Sequence, residues 1–424
     1  MSIHIKLTGG LDVGNGYCKS VIRGHGSDGA EIVDEIDIPS GVAIINRPLH
    51  LPTSDDQAVI ETQRSGEASL FNNLDVSFVS PMVPDQYRRL FGARGITADG
   101  SFEEFDVIGH RSKAEQPLSK ALVMGLFAAK GLRDHVRITG ALPAADEVLS
   151  IEARVALALP ITEYMHHRVA YAAEFMSGTH TITIHNFATP VTVKLKFVDV
   201  QVIAEGASAQ YAITAKGEPL MKVMLADVRS RGIALEGIEP ADVLGAQHTI
   251  GIDVGEGTVN LVVFSNGKFN PDASTTFNKG YGSVLNRAIS AMEASGYHSG
   301  FASRKQLASY LQSVPSAMKR SQYAKVQTYV HSEIEFFADS VAEQFGRILA
   351  VVGPLTEVAY VYGGGSGPIK EALYPKLLAK VAEMSGDEES GFPVLYLDAT
   401  YSRHLNREGL YIAAQTVEQR SKRK

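Results

Sequence analysis

The chain has 424 residues, 45% of them hydrophobic and 21% charged, which is the composition of an ordinary globular protein. This length predicts two or three domains, because single hydrophobic cores stop growing at about 250–300 residues. The net charge of −7 argues against direct binding of nucleic acid, so any contact with DNA is expected to run through another protein. The single cysteine, Cys18, excludes an intrachain disulfide. With no evident signal peptide or membrane-spanning run, we expect a cytoplasmic protein.

One short pattern occurs twice, each time before an apolar segment. Asp12-Val13-Gly14-Asn15-Gly16-Tyr17 leads into Lys19–Ile22, and Asp253-Val254-Gly255-Glu256-Gly257-Thr258 leads into Leu261–Phe264. β-Branched residues flank both turns, and glycine tolerates positive φ, so each pattern predicts a strand, a tight turn and a second strand.

Such a turn suits the binding of a triphosphate. Its glycines allow backbone N–H groups to approach phosphate oxygens, and successive N–H groups form an anion-binding nest. The leading aspartate can hold Mg²⁺ through water molecules, because Mg²⁺ gives up its water reluctantly. A single copy would be read as a hairpin turn with no ligand, but two copies 241 positions apart favour phosphate binding.

The segments between the two turns alternate between strand and helix patterns. Residues 25–110 are rich in Gly, Pro, Asn and Asp and read as a smaller inserted subdomain. The predicted elements up to the second turn are strands at 76–79 and 105–108, a helix at 118–131, a buried strand at 136–143, a hairpin of 180–184 with 191–197, a short strand at 200–204, a helix at 205–212 and a polar connection at 217–247.

After the second turn, helical patterns dominate. The predicted elements are a helix opened by Lys279–Ser283 and running through Met292, a helical region at 297–330, a helix at 330–352 stopped by Gly353-Pro354, a strand at 358–362, a helix from Pro368 and a last helix at 405–416. Gly363-Gly364-Gly365-Ser366-Gly367 lies between the strand and the helix. A glycine loop in this place can bring backbone against a nucleotide, or it can simply be a tight strand–helix crossover.

These features together resemble the actin/Hsp70/sugar-kinase superfamily. The turn at Asp12 is similar to its first phosphate motif, the turn at Asp253 to its second, and Val361–Gly367 to its adenosine motif. Three further segments resemble plasmid-segregation actins of the ParM type. They are a leucine–proline segment (Thr139–Pro143 or Leu159–Tyr164), Val200–Gly206, which resembles the segment that carries the hydrolytic glutamate, and the closing segment Leu405–Tyr411.

The resemblance implies an α/β, actin-like fold with two similar halves and a nucleotide cleft between them. It places residues 1–216 with 398–424 in domain I, which carries the insertion at about 25–110. Residues 217–397 then form domain II, with a second insertion at about 290–345.

The resemblance also implies a role for each site residue. Asp12 and Asp253 would hold the water shell of Mg²⁺, and Glu205 would orient or activate the attacking water. Lys19 would reach the phosphates of ATP or GTP as a point charge. The remaining cofactor-binding positions are Gly14, Asn15, Gly16, Tyr17, Gly255, Glu256, Gly257 and Thr258 at the phosphates, and Gly363, Gly364, Gly365 and Ser366 at the adenosine. Without the family pattern, Glu205 would be only a favourable dipole partner at the start of a helix. His166-His167 lacks a ligand partner at i, i+4, so no dedicated metal site is expected beyond Mg²⁺.

The function implied is that of an actin-like ATPase that polymerises with itself. Its filaments would segregate plasmid DNA through a DNA-bound adaptor protein, without direct contact with nucleic acid or membrane. A small-molecule kinase or a chaperone-like ATPase of the same superfamily remains as the alternative, because fold alone does not determine function.

Overall fold

The structure, a computed structural model, describes residues 4–45, 55–98, 101–105, 111–233, 235, 237–301, 303–386 and 391–422. The chain divides into two compact units. The first comprises Met1–Ala212 with Asn406–Lys424, and the second comprises Ile213–Leu405. Within the described ranges, every helix is too short or too polar to cross a membrane.

The first unit is built on a ten-stranded mixed sheet. Its strands are β1 (His4–Val13), β2 (Tyr17–His25), β3 (Glu31–Pro39), β4 (Gly41–Ile45), β5 (Asp75–Val79), β6 (Arg88–Phe91), β7 (Ser101–Glu104), β8 (Val148–Leu159), β9 (Thr179–Ile184) and β10 (Val191–Ala204). Their order across the sheet is β3-β2-β1-β8-β10-β9-β5-β6-β4-β7. β1 and β2 form an antiparallel hairpin, and both β1 and β10 run parallel to β8, which is therefore central.

The second unit repeats this arrangement in a smaller sheet of six strands. They are β11 (Thr249–Val254), β12 (Val259–Ser265), β13 (Lys268–Phe269), β14 (Thr275–Phe277), β15 (Val358–Tyr362) and β16 (Val394–Tyr396). The path is β13-β12-β11-β15-β16, with β14 also paired to β12. β11 and β12 form a hairpin, and β15 runs parallel to both β11 and β16. In both units an antiparallel hairpin therefore lies beside parallel strands.

Helices cover these sheets. In chain order they are α1 (Asp55–Gln63), α2 (Gly92–Thr97), α3 (Pro117–Thr139), α4 (Ile161–Phe175), α5 (Ala207–Ser230), α6 (Pro240–Gly245), α7 (Tyr281–Ala294), α8 (Arg304–Gln312), α9 (Arg320–Val352), α10 (Ser366–Ser385), α11 (Ala399–Ser402) and α12 (Leu405–Lys422), with 3₁₀ turns at Gly66–Ala68, Leu70–Asn73, Ala317–Lys319 and Gly353–Leu355. The predicted helices at 118–131, 330–352 and 405–416 and the predicted strands at 76–79 and 358–362 are confirmed. The hairpin of 180–184 with 191–197 is confirmed as β9 and β10.

The predicted strand at 136–143 is wrong, because α3 continues to Thr139. Gly140 ends the helix with φ 74° and donates its N–H to the Val136 carbonyl at 2.8 Å. Nineteen residues of α3, from Leu118 to Val136, are buried. The β-branched residues near its end therefore follow the packing of a helix enclosed by the core rather than their own preference for strands.

The other differences also concern elements that continue further than predicted. The segment 200–204 is no separate strand but the end of β10, which continues past a bulge between Phe197 and Asp199. The predicted polar connection at 217–247 is largely helical, because α5 resumes after a break at Gly217 and α6 follows. Phe105 lies outside a strand, and residues 106–108 of that predicted strand lie outside the described residues.

Two glycines let the last helix pack closely against β1 and the start of α5. A Cβ at Gly10 would lie 2.1 Å from the Tyr411 backbone nitrogen, and one at Gly409 would lie 1.7 Å from the Ser208 carbonyl oxygen. The Ser208 hydroxyl donates to the Asn406 side chain at 2.9 Å. The closing segment thus has a packing role in the first unit.

We expect Gly10→Ala to lower the free energy of unfolding by about 1–3 kcal/mol, because backbone must shift to admit the methyl group. Gly245→Ala is the matched control, since nothing lies within 4 Å of a Cβ there. Urea titration of both variants measures the difference. Equal midpoints for the two variants would contradict this packing of α12.

Candidate functional site

The first turn joins β1 to β2 and is closed by its own backbone. The Gly14 N–H donates to the Tyr17 carbonyl at 3.1 Å, and the Ser40 N–H donates to the Gly16 carbonyl at 2.9 Å. Gly14 and Gly16 do not use the positive φ that glycine tolerates. Gly14 is instead required by space, because a Cβ there would lie 2.9 Å from the Tyr17 carbonyl oxygen.

The second turn has the same closure. The Gly255 N–H donates to the Thr258 carbonyl at 2.9 Å, and a Cβ at Gly255 would lie 3.0 Å from that oxygen. Behind the turn, the N–H groups of Tyr281 and Gly282 donate to the carbonyls of Gly255 and Glu256 at 3.0 and 2.8 Å. The start of α7 therefore holds two successive carbonyls of the turn.

This contact determines where the turn's amides point. In a trans peptide, the C=O of one residue and the N–H of the next point in opposite directions. Because the carbonyls of Gly255 and Glu256 face α7, the N–H groups of Glu256 and Gly257 face away from it. Two adjacent N–H groups on one side form an anion-binding nest. The amides of Gly14 and Gly255, which the sequence analysis includes among the phosphate contacts, are already used within their turns.

The side chain of Glu256 also has a partner within the second unit. Arg304 Nε donates to Glu256 Oε1 at 2.6 Å, and both side chains are largely buried. The Glu256 carboxylate therefore anchors the turn to α8. The group of Glu256 that could bind phosphate is its backbone N–H.

In the first unit, charged residues align across three strands beside the first turn. Asp12 pairs with Lys19 across the hairpin, and Lys19 pairs with Asp37 on β3, so the three side chains project from one face. Asp12 is only 8% exposed. Burial raises the pKa of the Asp12 carboxyl, the Glu205 and Asp37 carboxylates add to the rise, and Lys19 and Lys113 oppose it. A cation at this carboxylate would relieve that repulsion.

Glu205 follows β10 directly and lies close enough to Asp12 to influence it. Its N–H donates to the Leu159 carbonyl at 2.8 Å, and Gly206 next to it has φ 81°. The expectation that Glu205 begins a helix is wrong, since α5 begins at Ala207. Leu159 ends the central strand β8, so the leucine–proline segment that follows this strand is Leu159–Tyr164.

Lys113, which no sequence pattern singled out, forms a buried ion pair with Glu205. Lys113 is 5% exposed and Glu205 is 7% exposed. Burial disfavours the charged form of Lys113, but the attraction of the Glu205 carboxylate outweighs this effect and raises the pKa of the lysine. A single lysine before a helix carries no spacing pattern, so the sequence offered no signal for it.

The segment that carries Lys113 is fastened to α4 by Glu163. The Ala114 N–H donates to Glu163 Oε2 at 3.2 Å, and burial raises the pKa of the Glu163 carboxyl. The ion pair of Lys113 and Glu205 thus connects three parts of the first unit: the start of α3, the start of α4 and the end of β10.

In the second unit, Asp253 lies beside the glycine loop. It pairs with Tyr362 across β11 and β15, and a Cβ at Gly363, where φ is 97°, would lie 2.5 Å from Asp253 Oδ1. Glycine is therefore needed for both the backbone angle and the close approach. Burial, and then the nearby Asp253 carboxylate, raise the pKa of the Tyr362 phenol.

The rest of the glycine loop is fixed by hydrogen bonds. The Gly365 N–H donates to the Val254 carbonyl at 2.8 Å, and the Ser366 hydroxyl donates to the Gly363 carbonyl at 2.8 Å. Gly363, Gly365 and Ser366 are buried, whereas Gly364 is exposed. Of the predicted adenosine contacts, Gly364 is the one that reaches the surface.

An open groove of about 560 Å³ lies next to this loop within the second unit. Its lining includes Tyr281 at the start of α7 and Pro368 just after the glycine loop. The other lining residues are Leu311, Ala324, Gln327, Thr328, Val330, His331 and Ile334. Apolar walls with a few polar groups are typical of pockets for small molecules.

The predicted site residues therefore form one group in each unit. Asp12, Lys19 and Glu205 lie close enough in the first unit to influence one another electrostatically. In the second unit, Asp253, the turn at 255–258 and the glycine loop are neighbours.

Comparison with known proteins identifies the fold. Residues 10–207 match the family model described as the N-terminal domain of actin-like proteins. No curated protein sequence matches the chain.

Solved structures match nearly the whole chain at low identity. The actin-like protein Alp7A is 15% identical, with a TM-score of 0.61 and 99% of each chain covered. ParM of Bacillus thuringiensis with ATP is 16% identical, with a TM-score of 0.55 and coverage of 98% of this chain and 99% of that one. A non-polymerisable quadruple mutant of pCBH ParM is 14% identical, with a TM-score of 0.57 and coverage of 98% and 100%. The predicted α/β, actin-like fold is confirmed.

We expect Asp12→Asn to raise the free energy of unfolding by about 1 kcal/mol at neutral pH, measured without nucleotide or divalent cation. Because the folded pKa of Asp12 is raised, the folded wild type binds a proton more tightly than the unfolded chain does. The wild type therefore loses stability as pH rises through the interval between the unfolded and folded pKa.

The extra stability of Asp12→Asn over the wild type should accordingly shrink as pH falls through that interval. Urea titrations of both proteins at acid and neutral pH measure this difference in the free energy of unfolding. A variant that is less stable than wild type at neutral pH would contradict the burial of an unfavourable charge.

Proposed function

We propose that the chain, whose residues 10–207 match the model of the N-terminal domain of actin-like proteins, is an ATPase that assembles into nucleotide-dependent filaments. We further propose that these filaments segregate plasmid DNA through a DNA-bound adaptor protein. The relative named ParM was solved with ATP, and another is described as a non-polymerisable mutant, which supports nucleotide binding and assembly as the properties to test.

The observation that carries the proposal is the second turn. Its Glu256 and Gly257 amides face one way because α7 holds the carbonyls behind them. Such a nest binds phosphate oxygens. The groove beside the glycine loop, bordered by Tyr281 and Pro368, is large enough for a purine base.

The carboxylates of Asp12 and Asp253 fit Mg²⁺ held through water. Each lies at the end of a buried strand and is less than a tenth exposed, and Asp12 is surrounded by further carboxylates. When bound, Mg²⁺ neutralises charge on the phosphates, which phosphoryl transfer requires. Lys19, on the same face as Asp12, supplies a positive charge from the protein itself.

Glu205 would accept a hydrogen bond from the attacking water and orient it. Its backbone is held by Leu159, and one oxygen of its carboxylate is held by Lys113. Holding one carboxylate oxygen fixes the direction of the other. Lys113 is in this proposal a positioning residue, which acts on the water through Glu205.

Glu205→Gln should slow phosphate release by about 10²- to 10⁴-fold, the usual size of a general-base contribution, while ATP binding is spared. Filaments formed with ATP should then persist long after wild-type filaments have disassembled, because the triphosphate state is retained. Light scattering and phosphate release, followed in parallel, measure both effects. Glu174→Gln is the matched control, because Glu174 also pairs with a lysine, Lys120, but has no proposed role in the reaction.

Two outcomes would count against the proposal. Slower phosphate release without long-lived polymer would indicate a kinase or chaperone-like ATPase of the same fold. Unchanged release would remove Glu205 from the reaction.

Lys113→Met should lower kcat by about 10- to 100-fold with little change in KM, because a misplaced carboxylate costs rate rather than ATP affinity. Lys113→Arg should restore part of the rate by keeping the positive charge. The control is Lys120→Met, since Lys120 is also 5% exposed and also pairs with a glutamate, Glu174. Two results would contradict the positioning role: an equal decrease of kcat in Lys113→Met and Lys120→Met, or a change in KM of Lys113→Met with kcat unaltered.

A further inference from the structure

One stretch of the second unit differs in charge from the rest of the chain. Between Glu293 and Glu333 the sequence has 39 residues without Asp or Glu, although acids make up about one residue in nine overall. The basic residues of this stretch are Arg304, Lys305, Lys319, Arg320 and Lys325. The rest of the chain keeps all 47 acidic residues against 35 basic ones, so it is strongly negative.

Within this stretch, the segment between α8 and the first turn of α9 projects apolar side chains into solvent. We define residues 313–320 as the basic tip. Val314 is 95% exposed and Met318 is 97% exposed. Lys319 and Arg320 follow directly and are also exposed. Single exposed apolar side chains are normal, but here two of them share one short segment with two positive charges, and this combination suits a docking surface.

The basic tip is held in place by the residues at its base. The Tyr323 hydroxyl donates to the Leu311 carbonyl at 2.6 Å, which ties together the two sides of the segment. The rings of Tyr310 and Tyr323 lie 5.4 Å apart. Within the tip, the Lys319 N–H donates to the Ser316 carbonyl at 2.9 Å. A segment fixed in this way loses little freedom on binding, which favours affinity.

We infer that the basic tip docks onto an acidic face of a second copy of this chain. Charge complementarity supports this partner, because the remainder of each copy is strongly negative. The tip cannot pair with itself across a two-fold axis, since that would bring like charges together. The tip of one copy must therefore lie on a different surface of the other, either reciprocally in a closed two-fold dimer or in a heterologous contact, and the proposed filament requires the heterologous form. A heterologous contact that does not close into a ring produces an open chain of subunits. This inference rests on the proposed filament, and it names one of its contacts.

The first test is Lys319→Glu combined with Arg320→Glu. We expect at least about a tenfold higher critical concentration for assembly with ATP, because attraction becomes repulsion. ATP binding should not change. Lys222→Glu combined with Arg347→Glu is the matched control, because it makes the same charge change at exposed side chains of the same unit, 66% and 65% accessible. Val314→Ser with Met318→Ser, which keeps the charge, should weaken assembly in the same direction.

Mixing experiments test the heterologous geometry itself. A subunit with a reversed tip still offers its acidic face, so it can join a chain but cannot extend it from its own tip. Small amounts of the charge-reversed variant should therefore shorten wild-type filaments in negative-stain images. A charge-reversed variant that leaves the length of wild-type filaments unchanged would overturn the inference. A variant that assembles alone as well as the wild type does would overturn it too.

Two further measurements separate this inference from the proposed function. Sedimentation velocity of the wild type with and without ATP reports self-association directly. If the wild type self-associates equally with and without ATP, and the charge-reversed variant does not, the proposed function fails and the tip contact stands. If the wild type and the variant form the same nucleotide-dependent polymer, only the tip contact fails. If the wild type stays monomeric, both fail. A further outcome is that the charge-reversed variant assembles normally and loses a binding to duplex DNA or anionic vesicles that the wild type has. That result would assign the tip to the DNA or the vesicle surface and overturn its docking onto a second copy.

Discussion

Each unit buries a carboxylate at the end of a strand, and the cost of burying that charge governs the residues around it. An ionised group removed from water must be compensated by opposite charge or hydrogen bonds. Asp12 is opposed by Lys19 across the hairpin and lies within the field of Lys113, but burial, joined by the neighbouring carboxylates, outweighs both lysines and raises the pKa of Asp12. The first unit thus keeps an incompletely compensated negative charge, which is costly for stability and useful for binding a cation.

In the second unit the groups around the buried carboxylate are different. The residue opposite Asp253 across the hairpin is Asn260, a neutral side chain, rather than a lysine. The Gly363 backbone approaches the carboxylate on another side, where no larger residue would fit. The two turns are therefore alike in backbone and different in charge. In the proposed reaction, the first unit provides the protein's positive charge and the water-orienting glutamate, and the second provides the amide nest and the groove for the base.

Local patterns predicted most of the site's backbone. The paired turns and the strand before the glycine loop follow from β-branched runs and glycines, whose effects are short-ranged. Long-range packing explains the error at the end of α3, which is helical because the core encloses it. The central strand β8 was missed although it alternates polar and apolar residues before a fully buried end, which is a local strand signal. No local pattern identifies Lys113, because its role depends on its ion pair with Glu205, which lies 92 positions later in the sequence.

A filament requires that nucleotide chemistry and subunit contacts influence one another. A ligand can shift assembly only by the difference between its affinities for the assembled and free states. Lys113 offers one route for such a difference within the first unit, since it connects Glu205 to the starts of both α3 and α4. In the second unit, α7 holds the second turn from behind, and Arg304 on α8 holds Glu256. α8 leads directly into the basic tip, so the helix that anchors the second turn also supports the proposed contact between copies. A change in the turn on hydrolysis would therefore reach the tip through a single short helix.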